Sequence, residues 1–503
     1  MSKYDFVIIG SGLGGLICAS VLSKEGHSVC VLEKNHQIGG NLQIFSRDKT
    51  IFDTGIHYIG GLDEGQNLYK YFKYLGIMDE LKLKKMDENG FDIITFDNDP
   101  NEYKYAQSYE RFIDELLKSF PQEEAALRQY CAKIKEVCAS FPMYNLKASE
   151  GTTVSFKYLD VSAKEFIASC TSNPKLQSVL AGSNALYAGE GDKTPLYVHA
   201  LVTNTYIESS WRCVNGASQI AILLKRNILK YGGKVIGHAE AKKFIFDNES
   251  VRSVELKDGR QIEGKNFISN IHPAATMDMV EQGKVRKAYR HRLQTIENSI
   301  SIFILYIVLK PEALPYFNHN YYHFKDLNVW DGAIYDDKSW PANYALFTGI
   351  TSKNEDYSEG LIMMSYMHYD EVKQWENTFN TAAEKDFRGE AYETFKKEKA
   401  EKMFAELEKK ISGIRSMTKS YYTSSPLTLR DYIGTVEGSM YGYAKDYKNP
   451  IKSFISAKTK VPNLFLTGQN LNLHGVLGVT ISAMVTCSEF MDREKMMKDI
   501  TMA

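Results

Sequence analysis

Four of the six residues from Gly10 to Gly15 (Gly-Ser-Gly-Leu-Gly-Gly) are glycine, and their G-x-G-x-x-G spacing has a chemical use. Gly10 allows a tight turn, Gly12 lets the backbone approach a diphosphate, and Gly15 lets a helix pack closely on the preceding strand. The diphosphate would then rest on a helix N-terminus, where N–H groups lack intrahelical partners. Glu33 closes the next β-rich run, the position from which a carboxylate binds ribose hydroxyls and repels a 2′-phosphate. This is dinucleotide-binding chemistry, with NAD and FAD as the occupants left open and NADP disfavoured. Gly39-Gly40-Asn41 and the run from Phe52 to Gly60 (FDTGIHYIG) follow, rich in glycine and including His57 and Tyr58.

Such a turn needs a strand to enter it, a helix to leave it and a second strand to carry Glu33. Tyr4 to Ile9 is β-rich, Leu16 to Lys24 has helical apolar spacing, and Ser28 to Leu32 reads as the second strand. Farther on, Ala217 to Lys230 predicts a helix with Ile220, Leu223, Leu224 and Ile228 on one face, ended by Gly232-Gly233 before a strand at Lys234 to Gly237. Lys242 to Phe246 and Val251 to Lys257 predict a strand pair, and an Asp258-Gly259 turn leads to a strand from Gln261 to Ile268. The continuous run Ile300 to Leu309 suits a strand buried on both faces. Glu110 to Lys118 and Glu123 to Cys138 read as amphipathic helices parted by Pro121, and Ala382 to Ile411 as a surface helix.

A chain of 503 residues exceeds the reach of one hydrophobic core, so two units built from interleaved segments are expected. A net charge of -1 supplies no positive field for phosphate backbones, which argues against nucleic acid as a partner. The seven cysteines are odd in number and contain no CxxC pair; that pattern fits reduced thiols in a cytoplasmic setting, with no zinc or other metal site. Two apolar runs invite a membrane reading. The one from Phe6 to Leu22 carries the glycine pattern and lacks a signal cleavage site; the one from Leu471 to Met491 is interrupted by Asn472, His474 and two glycines. A buried helix is expected for the second.

The run GSGLGGLICASVLSKEGHSVCVLEKNHQIGGNLQIF, continued by FDTGIHYIGG, resembles the N-terminus of the retinol saturases (all-trans-retinol 13,14-reductases) in the wider phytoene desaturase and carotenoid isomerase family of flavoproteins. Val461 to Asn470 and Gly475-Val476-Leu477-Gly478 resemble the segment with which these enzymes close over the flavin. The physical reading of that segment agrees, because a helix starting near Gly475 aims its N–H groups and positive dipole end at what lies before it. The resemblance implies FAD as the cofactor. It implies an α/β fold, an FAD-binding Rossmann-like domain of the amine oxidase and phytoene desaturase type with a discontinuous α+β substrate domain. Residues 1–90, 205–280 and 430–503 are expected to form the FAD-binding domain, and 91–204 and 281–429 the substrate domain.

By resemblance, cofactor contacts fall on Gly10, Gly12, Leu13, Gly14, Gly15, Glu33, Lys34, Gly39, Gly40, Asn41, Gly55, His57, Val235, Gly468, Gln469, Gly475, Val476 and Leu477. Asn41 stands where many relatives carry an arginine near the diphosphate, so one cationic contact is lost while the glycine turn remains. Ser269 to Pro273 matches another family strand end, with His272 in place of the usual aspartate and a structural role expected for it. Saturating a C=C bond takes a hydride and a proton, and His474, His57 and Tyr58 are the candidate acids. The aromatic residues Tyr187, Tyr197, Tyr206, Trp211, Tyr306, Tyr321, Tyr322 and Trp330 suit either an apolar tunnel or a core.

The implied substrate is an apolar polyene or prenyl lipid, a retinoid or carotenoid, collected by peripheral contact with a membrane and without a spanning helix. Saturase-like reduction is favoured over carotenoid desaturation or cis-trans isomerisation. The electron donor or acceptor, whether NADPH, a quinone or another carrier, is left open, since no second G-x-G-x-x-G unit is visible for NAD(P). A reading from a different class, a non-catalytic prenyl-lipid-binding protein of the same fold, is opposed by the intact glycine turn, Glu33 and the closing segment.

Overall fold

A computed structural model describes residues 3–147, 157–471 and 473–503, so that Asn472, one of the residues interrupting the late apolar run, lies outside the described residues. Two seven-stranded sheets organise the chain. In the first, Tyr4–Ile9 pairs in parallel with Val29–Leu32 on one side and Gln261–Ser269 on the other; Lys234–Ile236 and Leu464–Leu466 extend the parallel part. The hairpin Ala241–Asp247 and Ser250–Leu256 completes it antiparallel, turning into Gln261–Ser269 at Gly259, whose φ of +85° is the left-handed conformation such a turn asks for. The predicted strands of this sheet therefore lie within one residue of the observed ones.

Alternation explains the burial of this sheet. Phe6 and Ile8 face the helix Leu13–Lys24, while Val7 and Ile9 face a second cluster with Leu466 and Val254. Helix Leu13–Lys24 is buried along nearly all its length because two other helices cover it, Ser218–Lys230 and Gly475–Cys487. The last of these is the buried helix expected from the late apolar run. Among the described residues no helix is long and apolar enough to cross a membrane.

The second sheet takes its strands from three separated stretches: Asp92–Phe96 and Tyr103–Tyr105, Ser301–Leu309 with Asn320–Phe324, Asn343–Thr348 and Gly360–Met367, and Thr418–Ser424. Ser301–Leu309 is buried at every residue, as its composition suggested, but its partners are antiparallel. Its even-numbered residues, Ile302 to Val308, join the central cluster. Phe303, Leu305 and Ile307 pack beneath the helix Glu390–Lys410, whose Tyr392, Met403, Phe404 and Leu407 are buried as expected. The sequence reading began this helix too early; residues 382–389 are not helical, and Gly389, at φ +91°, precedes its first turn. A separate three-stranded antiparallel sheet is formed by Ile59–Gly60, Leu83–Lys85 and Ser210–Cys213.

Candidate functional site

The glycine turn is held by packing that admits no side chain. A Cβ on Gly15 would lie 2.1 Å from the Gly10 carbonyl oxygen, and Cβ atoms on Gly12 and Gly14 would lie 2.8 and 2.6 Å from the amide of Asn270. A Cβ on Gly468, at φ +98°, would lie 2.6 Å from the same amide. Asn270, at the end of strand Gln261–Ser269, is thus a wedge on which the first and last glycine segments of the chain meet. Gly39, at φ +114°, donates its N–H to the Ser11 carbonyl oxygen (3.0 Å) and brings Gly40, Asn41 and Gly55 beside the turn.

Glu33 is fixed rather than loose. Its Oε2 accepts from the Ser11 N–H (3.1 Å) and hydroxyl (2.6 Å), and its Oε1 from the Asn35 N–H (2.8 Å). Lys34 is tethered as well, its Nζ donating to the Asp431 carbonyl oxygen at 2.7 Å. The first turn of helix Leu13–Lys24 contains no acidic residue, which leaves its N-terminal N–H groups and dipole available to an anion.

These groups line one cavity of about 470 Å³. Gly10, Gly12, Leu13, Gly14, Glu33, Lys34, Gly39, Gly40, Asn41, Gly55, His57, Tyr58, Gly468, Gln469, Gly475 and Val476 all border it. Four other sequence candidates do not. Gly15 is spent on packing against Gly10; Val235 sits within a strand paired to Val31, and Ala239 to Ala241 reach the cavity instead. Leu477 is buried in the central cluster. His474 borders a separate cavity of about 20 Å³ with Lys445 and Glu190, its ring 4.5 Å from that of Tyr441. Gly475, at φ +73°, turns the chain between the two sides.

Beyond the glycine segments the cavity runs onto the second sheet. Ile56, Ile302, Phe324, Ala345, Phe347 and Met364 give it apolar walls, and the charged residues bordering it, Glu33, Lys34 and Glu240, all belong to the glycine end. His57 stacks on Phe347 (4.5 Å between centroids, 17° between planes), with both ring nitrogens buried and unpaired. Burial, with the Arg212 charge adding to it, holds His57 down to about 3; burial and the Lys445 ammonium do the same to His474, which also reaches about 3. Both are neutral imidazoles near neutral pH.

A buried polar chain lies behind this wall. Tyr58 donates to Asp92 Oδ2 (2.8 Å) and shares a 2.7 Å hydrogen bond with the hydroxyl of Tyr322. Asn320 donates to Asp92 Oδ1 (2.8 Å) and accepts at its own Oδ1 from Arg212 Nη2 (2.9 Å). Arg212, 1% exposed, also donates to the carbonyl oxygens of Thr348 and His319. Tyr58, Tyr206 and Tyr322 border the cavity; Asp92, Asn320 and Arg212 stand behind them. Sequence reasoning placed Tyr206 and Tyr322 among the aromatics but missed Asp92, Asn320 and Arg212. The available signal was a carboxylate inside the apolar strand Asp92–Phe96. Of the other aromatics, Tyr306 packs on Phe45 and Phe52, Trp211 donates to Asp63, and Trp330 is core. His272 accepts from the Ala274 N–H at a helix start and bonds to Asn298, contacts of the structural kind expected of it, and it also borders the cavity.

Residues 8–75 match the model of an NAD(P)-binding Rossmann-like domain. Over its whole length the chain is similar to the all-trans-retinol 13,14-reductase of Homo sapiens, 27% identical across 98% of this chain and 86% of the relative. The chloroplastic prolycopene isomerase of Daucus carota is 24% identical across 88% of this chain and 72% of its own. The fold matches the structure of cyclohexylamine oxidase from Brevibacterium oxydans, with a TM-score of 0.60, 15% identity and coverage of 97% and 99% of the two chains. The resemblance carried by the glycine and closing segments thus extends through the second sheet, and the α/β fold of amine oxidase and phytoene desaturase type is borne out.

Proposed function

We propose that this chain, a homologue of the retinol 13,14-reductases from end to end, is an FAD-dependent oxidoreductase that saturates a C=C bond of an apolar polyene. One observation carries the reading: a single cavity joins the glycine turn and Glu33 to an apolar, tyrosine-rich wall on the second sheet. The residues present fit the cofactor. Glycines that packing forbids from bearing a Cβ would hold the diphosphate, Glu33 the adenosine ribose, and the segment from Gly468 to Val476 the ring end, with the helix Gly475–Cys487 presenting its N-terminus there. When bound, FAD supplies hydride transfer.

The chain's own contribution is selection and orientation. Among the described residues no charge borders the apolar end, so the substrate favoured is an uncharged lipid such as a retinoid or carotenoid. The unpaired nitrogens of His57 are binding groups for cofactor or substrate. We assign residues 1–90, 205–280 and 430–503 to the FAD-binding unit and 91–204 and 281–429 to the substrate unit, a division supported by the origin of the strands of each large sheet. The lipid is taken from a membrane surface by peripheral contact, and a nicotinamide or a quinol is the electron source to be tried.

The FAD-loaded protein is reduced with dithionite under anaerobic conditions and mixed in turn with a retinoid, a carotenoid and a quinone. The expected result is reoxidation by a polyene that emerges with one double bond fewer. A polyene recovered unchanged, with only the quinone reoxidising the protein, overturns the proposal; bleaching of the oxidised protein by the polyene reverses its direction.

A further inference from the structure

We propose that Asp92, Tyr58 and Tyr322 form a proton relay that ends on the cavity, with Asp92 as the proton store and Tyr322 as the group that donates to the substrate carbon. The inference rests on the reductase reading above and adds to it the source of the proton.

The geometry gives the relay its order. Asp92 Oδ2, the Tyr58 hydroxyl and the Tyr322 hydroxyl follow one another at 2.8 and 2.7 Å, and the Tyr322 hydroxyl, the far end, has no other hydrogen bond among the described residues while its side chain borders the cavity. Asp92 is fully buried, and Asn320 occupies its other oxygen as a donor whatever the carboxyl's protonation. The direction of the O–H groups therefore depends on Asp92 alone. With a carboxylate, Tyr322 donates to Tyr58 and Tyr58 to Asp92, so every O–H points inward. With a carboxylic acid, Asp92 donates to Tyr58 and Tyr58 to Tyr322, and the Tyr322 O–H is freed toward the cavity. Only the protonated chain presents an acid.

Asp92 is poised for both states. Burial raises it to about 7, opposed by the hydrogen bonds from Asn320 and Tyr58 and by the Arg212 charge. Its surroundings hold few charges: Arg212 on Ser210–Cys213, Tyr58, Tyr322 with Asn320 on Asn320–Phe324, Tyr105 paired directly opposite on Tyr103–Tyr105, and Tyr206 on Leu196–Glu208. Arg212 reaches Asp92 through Asn320, an arrangement that stabilises the carboxylate left behind without making it permanent. The two histidines first considered as acids, at about 3, carry no imidazolium to spend at neutral pH.

The balance is simple. In the saturation proposed above, the π pair of the C=C bond would take up the proton of the Tyr322 hydroxyl at one carbon, and the hydride that bound, reduced FAD would supply would complete the neighbouring carbon. Tyr322 regains a proton from Tyr58 and Tyr58 from Asp92, so one net proton leaves the Asp92 carboxyl and returns from solvent after turnover.

Infrared difference spectra of the holoenzyme across pH test the store without reference to activity. A carboxylic-acid C=O band that fades with a midpoint near 7 is expected, and it should be absent from Asp92→Asn and shifted in Tyr58→Phe. Stopped-flow reoxidation of the dithionite-reduced protein tests the relay. Tyr322→Phe, which loses one hydroxyl and one hydrogen bond, should slow reoxidation by polyene about 10²–10⁴-fold and abolish its solvent deuterium effect. A band that persists in Asp92→Asn, or a polyene rate and deuterium effect untouched by Tyr322→Phe, overturns the relay and leaves the reductase reading standing. Wild-type protein that fails to pass electrons to any polyene sinks the reductase reading instead, whatever the band shows.

Discussion

The two ends of the cavity are made of different material. At the glycine end the binding groups are main-chain N–H groups and one carboxylate, set by positive φ angles and by contacts in which a Cβ has no room. At the polyene end they are side chains, and the hydrogen bonds join segments separated in sequence: Tyr58 and Asp92 are 34 positions apart, Asp92 and Asn320 228, Tyr58 and Tyr322 264. A backbone-built site tolerates almost no change of residue at its glycines but little depends on its titration. A side-chain-built site can change its chemistry by single substitutions, and its stability is tied to pH and to buried charge.

Acid should break that comparison most strongly. Among the described residues His57, His199, His272, His319 and His474 are each lowered to about 3 or 4, mainly by burial. A histidine with a depressed folded value stabilises the fold above its unfolded value and loses that contribution as pH falls, at about 1.4 kcal/mol per pH unit for each. Asp53 and Asp92, raised to about 7, act oppositely, favouring the fold as pH drops from about 7 toward 4, but they are fewer. Circular dichroism should therefore record cooperative unfolding between about pH 6 and 4. A fold unchanged at pH 4 would mean that these histidines are not held neutral.

Substitution at the buried cation comes next. Arg212→Met leaves the carbonyl oxygens of Thr348, His319 and Asn320 without their donor, a loss of about 3 kcal/mol in denaturant unfolding. FAD affinity of the folded fraction should hardly change, because Arg212 touches nothing at the glycine end. Gly14→Ala has the reverse profile. Its methyl meets Asn270 and Gly468, overpacking worth about 1–3 kcal/mol, and FAD affinity by fluorescence titration should fall about 10–100-fold. Equal effects of both variants on both quantities would erase the distinction between the two ends.

The same difference decides what the sequence discloses. Gly10 to Gly15, Glu33 and Gly39-Gly40 are readable because a contiguous motif states its own backbone geometry. The strands of the first sheet are readable because alternation and turns are local. Asn270 was noticed only as part of a strand end, since its wedge role exists where two ends of the chain converge. Asp92, Asn320 and Arg212 carry no local mark of their pairing; sheet register sets Asp92 beside Asn320, and Arg212 reaches Asn320 from a different sheet. His474 was singled out by its motif, yet a turn at Gly475 puts it on the other side of the wall.

The most direct measurement is the absorption spectrum of the chain after incubation with FAD and removal of unbound cofactor. A yellow protein with about one flavin per chain, and a Gly14→Ala variant largely colourless under the same treatment, is the result expected. A colourless wild-type protein, folded by circular dichroism and still binding prenyl or polyene lipid, would contradict the account and return the cavity to a lipid carrier of the same fold.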